Sequence, residues 1–522
     1  MKKIIILSCV FVFVLFFQPC FSDASLSPIK PKLVLVLVYD QFRADFLTRF
    51  EKDFLPPIKQ KKVGGFRYLM EKGAYFPFAE YEILQAMTCP GHAMILTGSY
   101  PKQNGISLNS WYDRNTQKSM YCVEDAEFGF SPKKLIGTTV GDELKLISPQ
   151  SRVVGVALKD RSAIMLAGHG ADGAFWFDTA SHEWVTSGYY PKPPTWLQEF
   201  NKPIKIQKDK VFKWTPKYSK HKFVHEEKKS SKEALSSPYG GELTLEMAKK
   251  LIKEYKLGQR QETDILAISF STHDIAGHRF GPMSPEMDEL TRVEDVQLSD
   301  LLNELNTHLI GGLNSVLVVL TADHGVAPTI EDSRKIKLDA GTLSNEQLIS
   351  KLNSFYREKY SSIEANAKMV VSAESLNFYF NTDLIRQLKL DDAQILQQGR
   401  DFLMAEPGVQ AVVVGKDVDN SSNSVLLMEK QIKKSVLVKK NGDLIVIPKP
   451  FWFEESKVIT THMTGYSYDR MVPLILMGPS VKTGRYPQFT RVIDLAPTLS
   501  YILGTVPPAL NEGSVLKDAL QH

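Results

Sequence analysis

Cysteine is scarce in this 522-residue chain, which contains four, and neither sign of charge is in large excess. The 63 basic and 59 acidic residues leave a net charge of +4, which is too small to indicate a nucleic-acid partner. We find no motif repeated at a fixed period, which argues against a repeat architecture. With 43% hydrophobic and 23% charged residues, the composition is that of a large globular protein.

Long hydrophobic runs are absent except at the N-terminus, which reads "MKKIIILSCVFVFVLFFQPCFSDAS". Two lysines precede an apolar stretch, residues 4–17, that is too short to span a bilayer comfortably. Small residues then precede Asp23, so the pattern predicts a signal peptide over 1–22 rather than an anchor. We therefore expect a periplasmic or secreted chain, 23–522, with no membrane span after cleavage.

Cleavage would remove two cysteines, Cys9 and Cys20. The other two, Cys89 and Cys122, could pair in an oxidising compartment, but one bridge does not make a disulfide framework. Whether they pair stays open at this point.

Several short runs rich in Val, Ile and Leu predict strands that are buried on both faces. They are "LVLVLVY" (33–39), "RVVGVAL" (152–158), "DILAISF" (264–270), "SVLVVLTA" (315–322) and "VPLILMG" (472–478). Segments with helical spacing lie between them, such as 284–309. Continuous apolar strands that alternate with helices predict an α/β fold with a mostly parallel central sheet and helices on both faces.

Two regions interrupt this alternation. Residues 190–240 are rich in Pro, Lys and Ser and predict a surface insertion. Residues 340–455 carry helix and strand signals of their own, so we predict a small α+β cap inserted before the last core strand.

Polar side chains that suit metal ions or phosphate follow four of the predicted strands. Ligands bind beyond the carboxyl ends of strands in open parallel sheets, so this repetition indicates a site at that edge. The residues are Asp40, Lys159 and Arg161, Asp274 and His278, and Asp323 and His324.

The spacing of two pairs indicates how they could share a cation. Asp274 and His278 are four apart, which places them on one face of a helix. Asp323 and His324 are adjacent and can converge only where the chain leaves its strand, and we expect Gly325 to permit an unusual bend there. An Asp/His set without cysteine suits zinc better than manganese or iron, and His462 is a further candidate ligand.

Thr88 precedes a predicted helix in "MTCPGHAMILTG", where Pro90 stands near the start and a glycine follows the last turn. A helix N-terminus favours an anion, but a threonine there is commonly a simple N-cap. A hydroxyl that faces two metals could instead be a nucleophile. We interpret His92 in this helix as a packing residue, and His273 as a substitute ligand for Asp274.

These motifs, taken in order, resemble those of the alkaline phosphatase superfamily. The stretches are "VYDQFRAD", "MTCPGH", "LKDRSA", "HDIAGHRFGP", "TADHG" and "THMTGYSYDRMVPLILMG". The chain is most similar to the phosphate-irrepressible alkaline phosphatases of the Flavobacterium type, which use a threonine nucleophile. The resemblance covers nearly all of 23–522 and implies one alkaline phosphatase-like catalytic domain.

The resemblance implies two zinc ions and a phosphorylated threonine intermediate. One ion would be held by Asp40, Asp323 and His324 together with Thr88, whose oxygen would be both a ligand and the nucleophile. The other would be held by Asp274, His278 and His462. Asn109, Lys159 and Arg161 would contact the transferred phosphoryl group of small phosphate monoesters.

Three other functions share parts of this pattern. Sulfatases need C-x-P-x-R, whereas Pro90 directly follows Cys89 here. Type I phosphodiesterases and nucleotide pyrophosphatases share the threonine and the zinc ions but generally lack the Lys-x-Arg pair, so "LKDR" favours monoesters. A metal-stabilised binding protein without turnover would not need an intact nucleophile. The natural substrate and the oligomeric state are not determined by the sequence.

Overall fold

The structure, a computed structural model, describes residues 30–419 and 428–521. The predicted signal peptide, 1–22, therefore lies outside the described residues. Within the described ranges, none of the helices combines the length and the apolar character needed to cross a membrane.

The strands are numbered in chain order. They are β1 Leu33–Tyr39, β2 Ile58–Lys59, β3 Lys62–Val63, β4 Ala74–Glu80, β5 Ser110–Asp113, β6 Lys118–Tyr121, β7 Glu124–Asp125, β8 Gly129–Phe130, β9 Val153–Ala157, β10 Gly173–Asp178, β11 Glu183–Thr186, β12 Val211–Trp214, β13 His225–Lys228, β14 Asp264–Phe270, β15 Val316–Thr321, β16 Gly341–Leu343, β17 Val370–Glu374, β18 Asn377–Phe380, β19 Val409–Val414, β20 Leu444–Pro448, β21 Trp452–Glu454, β22 Met471–Met477, β23 Gly484–Arg485 and β24 Thr490–Arg491.

The α-helices are numbered in the same way. They are α1 Ala44–Arg49, α2 Phe66–Lys72, α3 Thr88–Thr97, α4 Pro101–Asn104, α5 Val140–Ile147, α6 Asp160–Ala167, α7 Trp196–Gln207, α8 Pro238–Glu254, α9 Thr272–Phe280, α10 Pro285–His308, α11 Ile330–Lys335, α12 Asn345–Lys359, α13 Thr382–Gln387, α14 Asp392–Met404, α15 Glu429–Ser435, α16 Ser467–Arg470 and α17 Leu495–Leu503.

The central sheet has the order β11-β10-β9-β14-β1-β15-β22-β4-β23, and β24 also pairs with β4. The strands from β10 to β15 in this order are parallel, whereas β22 is antiparallel to both of its neighbours. Every residue of β1, β14 and β15 is buried. Helices α6 and α8 pack on β9, and α2 packs on β4 and β22. The predicted α/β fold with a mostly parallel sheet is confirmed.

The strand β4 was not predicted, because its sequence, "AYFPFAE", contains a proline. Proline cannot donate a ladder hydrogen bond and is usually confined to edges or bulges. Here the pairing of β4 with β22 shifts register beside Pro77, and β22 carries Pro473 at the same irregularity. The two prolines therefore share one bulge, so the rest of each strand can still pair.

The part of the chain that connects β15 to β22 forms a smaller antiparallel sheet with the order β17-β18-β20-β19. Helix α12 packs on β17, and α14 packs on β19 and β20. Leu352, Phe378 and Leu403 belong to a hydrophobic cluster formed by this part of the chain. These elements form the small α+β cap of the predicted fold class. Its bounds, about 340–455, stay a prediction, as does the surface insertion at 190–240, which contains α7 and the β12–β13 hairpin.

Candidate active site

The proposed site residues lie at one edge of the central sheet. Because β9, β14, β1 and β15 are parallel neighbours, the residues that follow them emerge side by side. The segment that carries His462 precedes β22, whose antiparallel orientation brings its amino end to the same edge. Thr88 follows β4, which is antiparallel to β22 and so runs in the same direction as β1.

The first group of side chains comprises Asp40, Asp323, His324 and Thr88. The Nε2 atom of His324 lies 3.5 Å from Asp40 Oδ1 and 3.3 Å from Asp323 Oδ2. The Thr88 hydroxyl lies 3.5 Å from the same Nε2 atom. All four residues are at most 1% exposed, so a hydroxyl and two carboxylates converge on one imidazole nitrogen inside the protein.

The second group comprises Asp274, His278 and His462. The Oδ1 atom of Asp274 lies 3.2 Å from His278 Nε2 and 3.8 Å from His462 Nε2. Asp274 and His278 both belong to α9, as their spacing predicts. The three ligand atoms lie close enough together to hold one metal ion.

The three histidines share one hydrogen-bonding pattern. Their Nδ1 atoms lie 2.7 to 2.9 Å from backbone carbonyls, at Gly325 for His324, Thr460 for His278 and Ala86 for His462. A carbonyl can only accept, so Nδ1 carries the proton and donates it, which leaves the Nε2 lone pair free to face the site. This is the arrangement that a metal-binding histidine needs.

Gly325 differs from its predicted role. It does not adopt a positive φ; instead, a Cβ atom at this position would lie 2.2 Å from the Tyr468 carbonyl oxygen. Its backbone N–H donates to the carbonyl of Asp469 at 2.7 Å. Glycine is therefore required for a close approach of two backbone segments, and this approach fixes the chain after Asp323 and His324.

Thr88 is the first residue of α3, and Met87 holds the N-cap position without a side-chain cap. The Thr88 hydroxyl therefore does not cap the helix. The Arg161 Nη2 group donates to the Thr88 hydroxyl at 3.4 Å. The hydroxyl therefore lies between an imidazole and a guanidinium, at the end of a helix dipole that favours negative charge.

A disulfide joins Cys89 to Cys122, which settles the question that the sequence left open. The backbone N–H of Cys89 donates to the Asn109 side-chain oxygen at 2.8 Å, and that of Cys122 donates to the Asn109 carbonyl at 2.9 Å. Asn109 is therefore held at both its side chain and its backbone by the two bridged residues, directly beside Thr88.

Replacing both cysteines by alanine should lower the free energy of unfolding by about 3 to 4 kcal/mol, because the bridge closes a loop of 33 residues. We also expect a lower kcat/KM, since the two residues that hydrogen-bond Asn109 would no longer be held together, and Asn109 would be less well positioned. Urea unfolding and steady-state kinetics measure the two effects. A reducing agent should reproduce both losses in the unmodified protein and leave the double variant unchanged; an equal effect on both proteins would contradict this prediction.

Lys159 and Arg161 lie on the same side of the site. The Nζ atom of Lys159 donates to Asp40 at 2.7 Å and to Asp274 at 2.6 Å, so it bridges the two groups. Burial acts to lower the pKa of Lys159, but the charges of Asp274 and Asp40 outweigh it and raise the pKa. Arg161 donates to the hydroxyl of Tyr121 at 3.1 Å, and Tyr121 donates to Asp160 at 2.6 Å.

The carboxylates are in an environment that favours a cation. Burial and the nearby charge of Asp323 raise the pKa of Asp40 well above its ordinary value. For Asp274, burial acts in the same direction, but favourable electrostatic interactions with His278 and Lys159 outweigh it and hold the pKa well below its ordinary value. Burial lowers the pKa of His324 and of His462, so both imidazoles are neutral at pH 7 and each can offer a nitrogen lone pair to a metal ion.

Two residues that contact the site were misjudged or missed. His92 is not a simple packing residue: its Nδ1 atom lies 2.8 Å from the Thr88 carbonyl and 3.1 Å from Asp323 Oδ2. The proton on this nitrogen prevents it from acting as a ligand. Gln41, which follows Asp40, contacts two site carboxylates and was not singled out, because nothing local in the sequence indicates its backbone conformation.

His273, the substitute ligand, lies outside both groups. Its Nδ1 atom is 2.8 Å from Glu294 Oε2, and its ring packs against Phe42 and Phe46.

A cavity of about 370 Å³ opens beside Asp274 and His278, with Ile275 and Ile459 in its lining.

The chain is similar to several known proteins over nearly all of its length. Residues 34–467 match the family of type I phosphodiesterases and nucleotide pyrophosphatases. Alkaline phosphatase PhoV of Synechococcus elongatus is 32% identical, over 94% of this chain and 93% of its own. Alkaline phosphatase PafA of Elizabethkingia meningoseptica is 31% identical, over 91% of this chain and 92% of its own.

Solved structures agree with the sequence comparisons. Wild-type PafA superposes with a TM-score of 0.84 at 29% identity, over 94% of this chain and 99% of that chain. PafA has also been solved with a threonine, an asparagine, a lysine and an arginine replaced together; this structure has a TM-score of 0.83 at 28% identity and the same coverage. Since the family match spans most of the chain and these relatives align over nearly all of it, the chain belongs to the type I phosphodiesterase and nucleotide pyrophosphatase family of the alkaline phosphatase superfamily.

Proposed function

We propose that this protein is an exported alkaline phosphatase that binds two zinc ions and hydrolyses phosphate monoesters through a phosphorylated Thr88. One observation carries the proposal: the Thr88 hydroxyl lies 3.5 Å from His324 Nε2 and 3.4 Å from the Arg161 guanidinium, at a helix N-terminus. A nucleophile, a metal-binding group and a phosphate-binding cation are thus within reach of one phosphoryl group.

The donor set fits zinc. Two buried carboxylate oxygens, Asp40 Oδ1 and Asp323 Oδ2, accept no hydrogen bond from the described part of the chain. Together with Nε2 of His324 they would hold one ion, and Asp274, His278 and His462 would hold the other. When bound, the two ions would promote loss of the Thr88 proton and stabilise negative charge on the phosphoryl and leaving oxygens.

The chain's own residues account for the rest of the reaction. Thr88 Oγ1 attacks phosphorus in line, so a Thr–O–P bond forms as the bond to the leaving oxygen breaks, and the product alcohol departs with a proton. Arg161 can grip two phosphoryl oxygens, while Lys159 acts as a point charge and Asn109 as a polar contact. Water then attacks the phosphorus of phospho-Thr88, which releases inorganic phosphate and restores the hydroxyl. The leaving group can extend into the cavity beside Asp274 and His278.

The relatives support this choice of substrate. The two full-length relatives are named alkaline phosphatases. The four residue types replaced in the PafA variant occur in this chain at the same spacings within each pair, as Thr88 and Asn109 and as Lys159 and Arg161.

Type I phosphodiesterase activity is the second candidate, and the family match favours it. A diester carries a substituent on an oxygen that is free and charged in a monoester. The half-buried cations Lys159 and Arg161 would therefore stabilise a monoester more strongly. This is why we place monoester hydrolysis first.

Export is supported by two observations. The N-terminal sequence has the pattern of a signal peptide, and the Cys89–Cys122 disulfide is typical of an oxidising compartment such as the periplasm.

Removal of metal should abolish activity. We expect the purified protein to contain two zinc ions per chain, and a chelator to lower hydrolysis of p-nitrophenyl phosphate by at least about 100-fold, because the ions stabilise the developing charge. Elemental analysis and a chromogenic assay make the two measurements, and added zinc should restore the rate. Full activity in protein stripped of metal would contradict the two-metal proposal.

The same preparation distinguishes the alternatives. A phosphomonoesterase should show a much higher kcat/KM for p-nitrophenyl phosphate than for bis(p-nitrophenyl) phosphate. The opposite ratio would identify a diesterase. Zinc-loaded protein that turns over neither ester would indicate a binding protein.

A further inference from the structure

Gln41 has an unusual backbone conformation in the middle of the site. Its φ is 69°, in the left-handed region that residues other than glycine seldom adopt, and it is fully buried. Such a conformation persists only where the surroundings enforce it, and it is often found at functional sites.

This conformation lets Gln41 contact two carboxylates at once. Its backbone N–H donates to Asp323 Oδ1 at 3.0 Å, and its side-chain Nε2 donates to Asp274 Oδ1 at 2.8 Å. Asp323 belongs to the first metal-binding group and Asp274 to the second. Since Gln41 is also bonded covalently to Asp40, it is linked to three of the proposed ligands.

The side-chain amide can point only one way. A carboxylate accepts hydrogen bonds, so Nε2 must face Asp274 and Oε1 must face away. Oε1 is buried without a hydrogen bond from the described residues and lies against Gly277 of α9, where a Cβ atom would be only 1.9 Å from it. The glycine between Asp274 and His278 therefore makes room for the Gln41 amide.

We propose that Gln41 is a positioning residue that couples the two zinc sites by fixing the orientation of Asp274 relative to Asp323. The proposal rests on the proposed two-metal function. At Asp323, Gln41 holds Oδ1, so Oδ2, which lies 3.3 Å from His324 Nε2, is left for the first ion. At Asp274, Gln41 holds Oδ1, the oxygen that faces His278 and His462, so the amide sets the position of the oxygen that would bind the second ion. Hydrogen bonds of this kind to metal ligands typically change metal affinity 10- to 100-fold.

The test compares Gln41→Ala with a matched truncation elsewhere, Gln297→Ala. Gln297 is also buried, and it donates to the carbonyl of Pro238, away from the site. We expect Gln41→Ala to lower zinc affinity about 10- to 100-fold in competition with a chromogenic chelator, and to lose zinc faster. Gln297→Ala should bind zinc like the unmodified protein.

Two further variants separate positioning from simple destabilisation. Gly277→Ala should displace the amide and reproduce the loss of zinc affinity without touching Gln41. Gln41→Glu should weaken binding further, because it places a carboxylate against Asp274. Unchanged zinc affinity in Gln41→Ala, whether or not its melting temperature falls, would overturn the proposal. If the unmodified protein binds no zinc, the proposed function fails first, and the coupling proposal fails with it.

Discussion

Thr88→Ala should lower kcat/KM for phosphate monoesters by at least about 1000-fold, because no other side-chain oxygen can replace the attacking atom. Thr88 is 1% exposed, and its hydroxyl lies within 3.5 Å of His324 and Arg161. The protein should still fold and bind zinc, since the methyl group of alanine preserves the start of α3 and the aspartate and histidine ligands are unchanged. Steady-state kinetics, elemental analysis and thermal unfolding make the three measurements.

Two variants control this experiment. Thr88→Ser keeps the oxygen and should retain much of the activity. Thr97→Ala removes another buried hydroxyl of the same helix, one that donates to the Ala93 carbonyl at 2.6 Å, and should leave kcat unchanged. Near-normal turnover in Thr88→Ala would remove Thr88 from the proposed role.

Arg161→Ala should have the second largest effect, a loss of about 1000-fold in monoester hydrolysis with a much smaller loss for diesters. Arg161 is held by the Tyr121 hydroxyl, which is itself bonded to Asp160, so its guanidinium is fixed before the substrate arrives. A monoester dianion spreads two negative charges over three non-bridging oxygens, whereas a diester anion spreads one negative charge over two. Parallel kinetics with p-nitrophenyl phosphate and bis(p-nitrophenyl) phosphate measure the difference.

Arg152, which lies near the end of β9 opposite to Arg161, provides a control variant. Arg152 precedes β9 and packs over the ring of Tyr255, so Arg152→Ala should leave the ratio of the two activities unchanged. Arg161→Lys should give an intermediate loss, because lysine keeps the charge but cannot bind two oxygens in a fixed fork. Equal losses for both esters in Arg161→Ala would count against monoester specificity.

Much of the central fold could be predicted because its signals are local. The apolar runs at 33–39 and 264–270 coincide with β1 and β14, and the periodic segment 284–309 coincides with α10 to within one residue at each end. The strand β4 was missed because its proline obscures the strand pattern, and only the bulge it shares with β22 makes it compatible with the sheet.

In the site, too, some features could be predicted from local sequence and others could not. Asp274 and His278 could be paired from their spacing, since a helix places residues four apart on one face. The roles of His92 and Gln41 could not be inferred, because their partners are remote in the chain: Gln41 contacts Asp274 and Asp323, and His92 lies beside Asp323. The reason for Gly325 was also wrong, since its constraint comes from the Tyr468 backbone rather than from its own φ.

By itself, the amino-acid sequence determined which chemical groups are available and which strand or helix carries each of them, because periodicity and strand-end residues are properties of neighbours in the chain. Only the tertiary structure decided how those groups converge: which histidine nitrogen faces the site, what holds Asn109, and how Gln41 reaches two carboxylates. The contacts of Gln41 and His462 join segments hundreds of residues apart, and those of Asn109 depend on a disulfide between two other segments, so no local pattern encodes them.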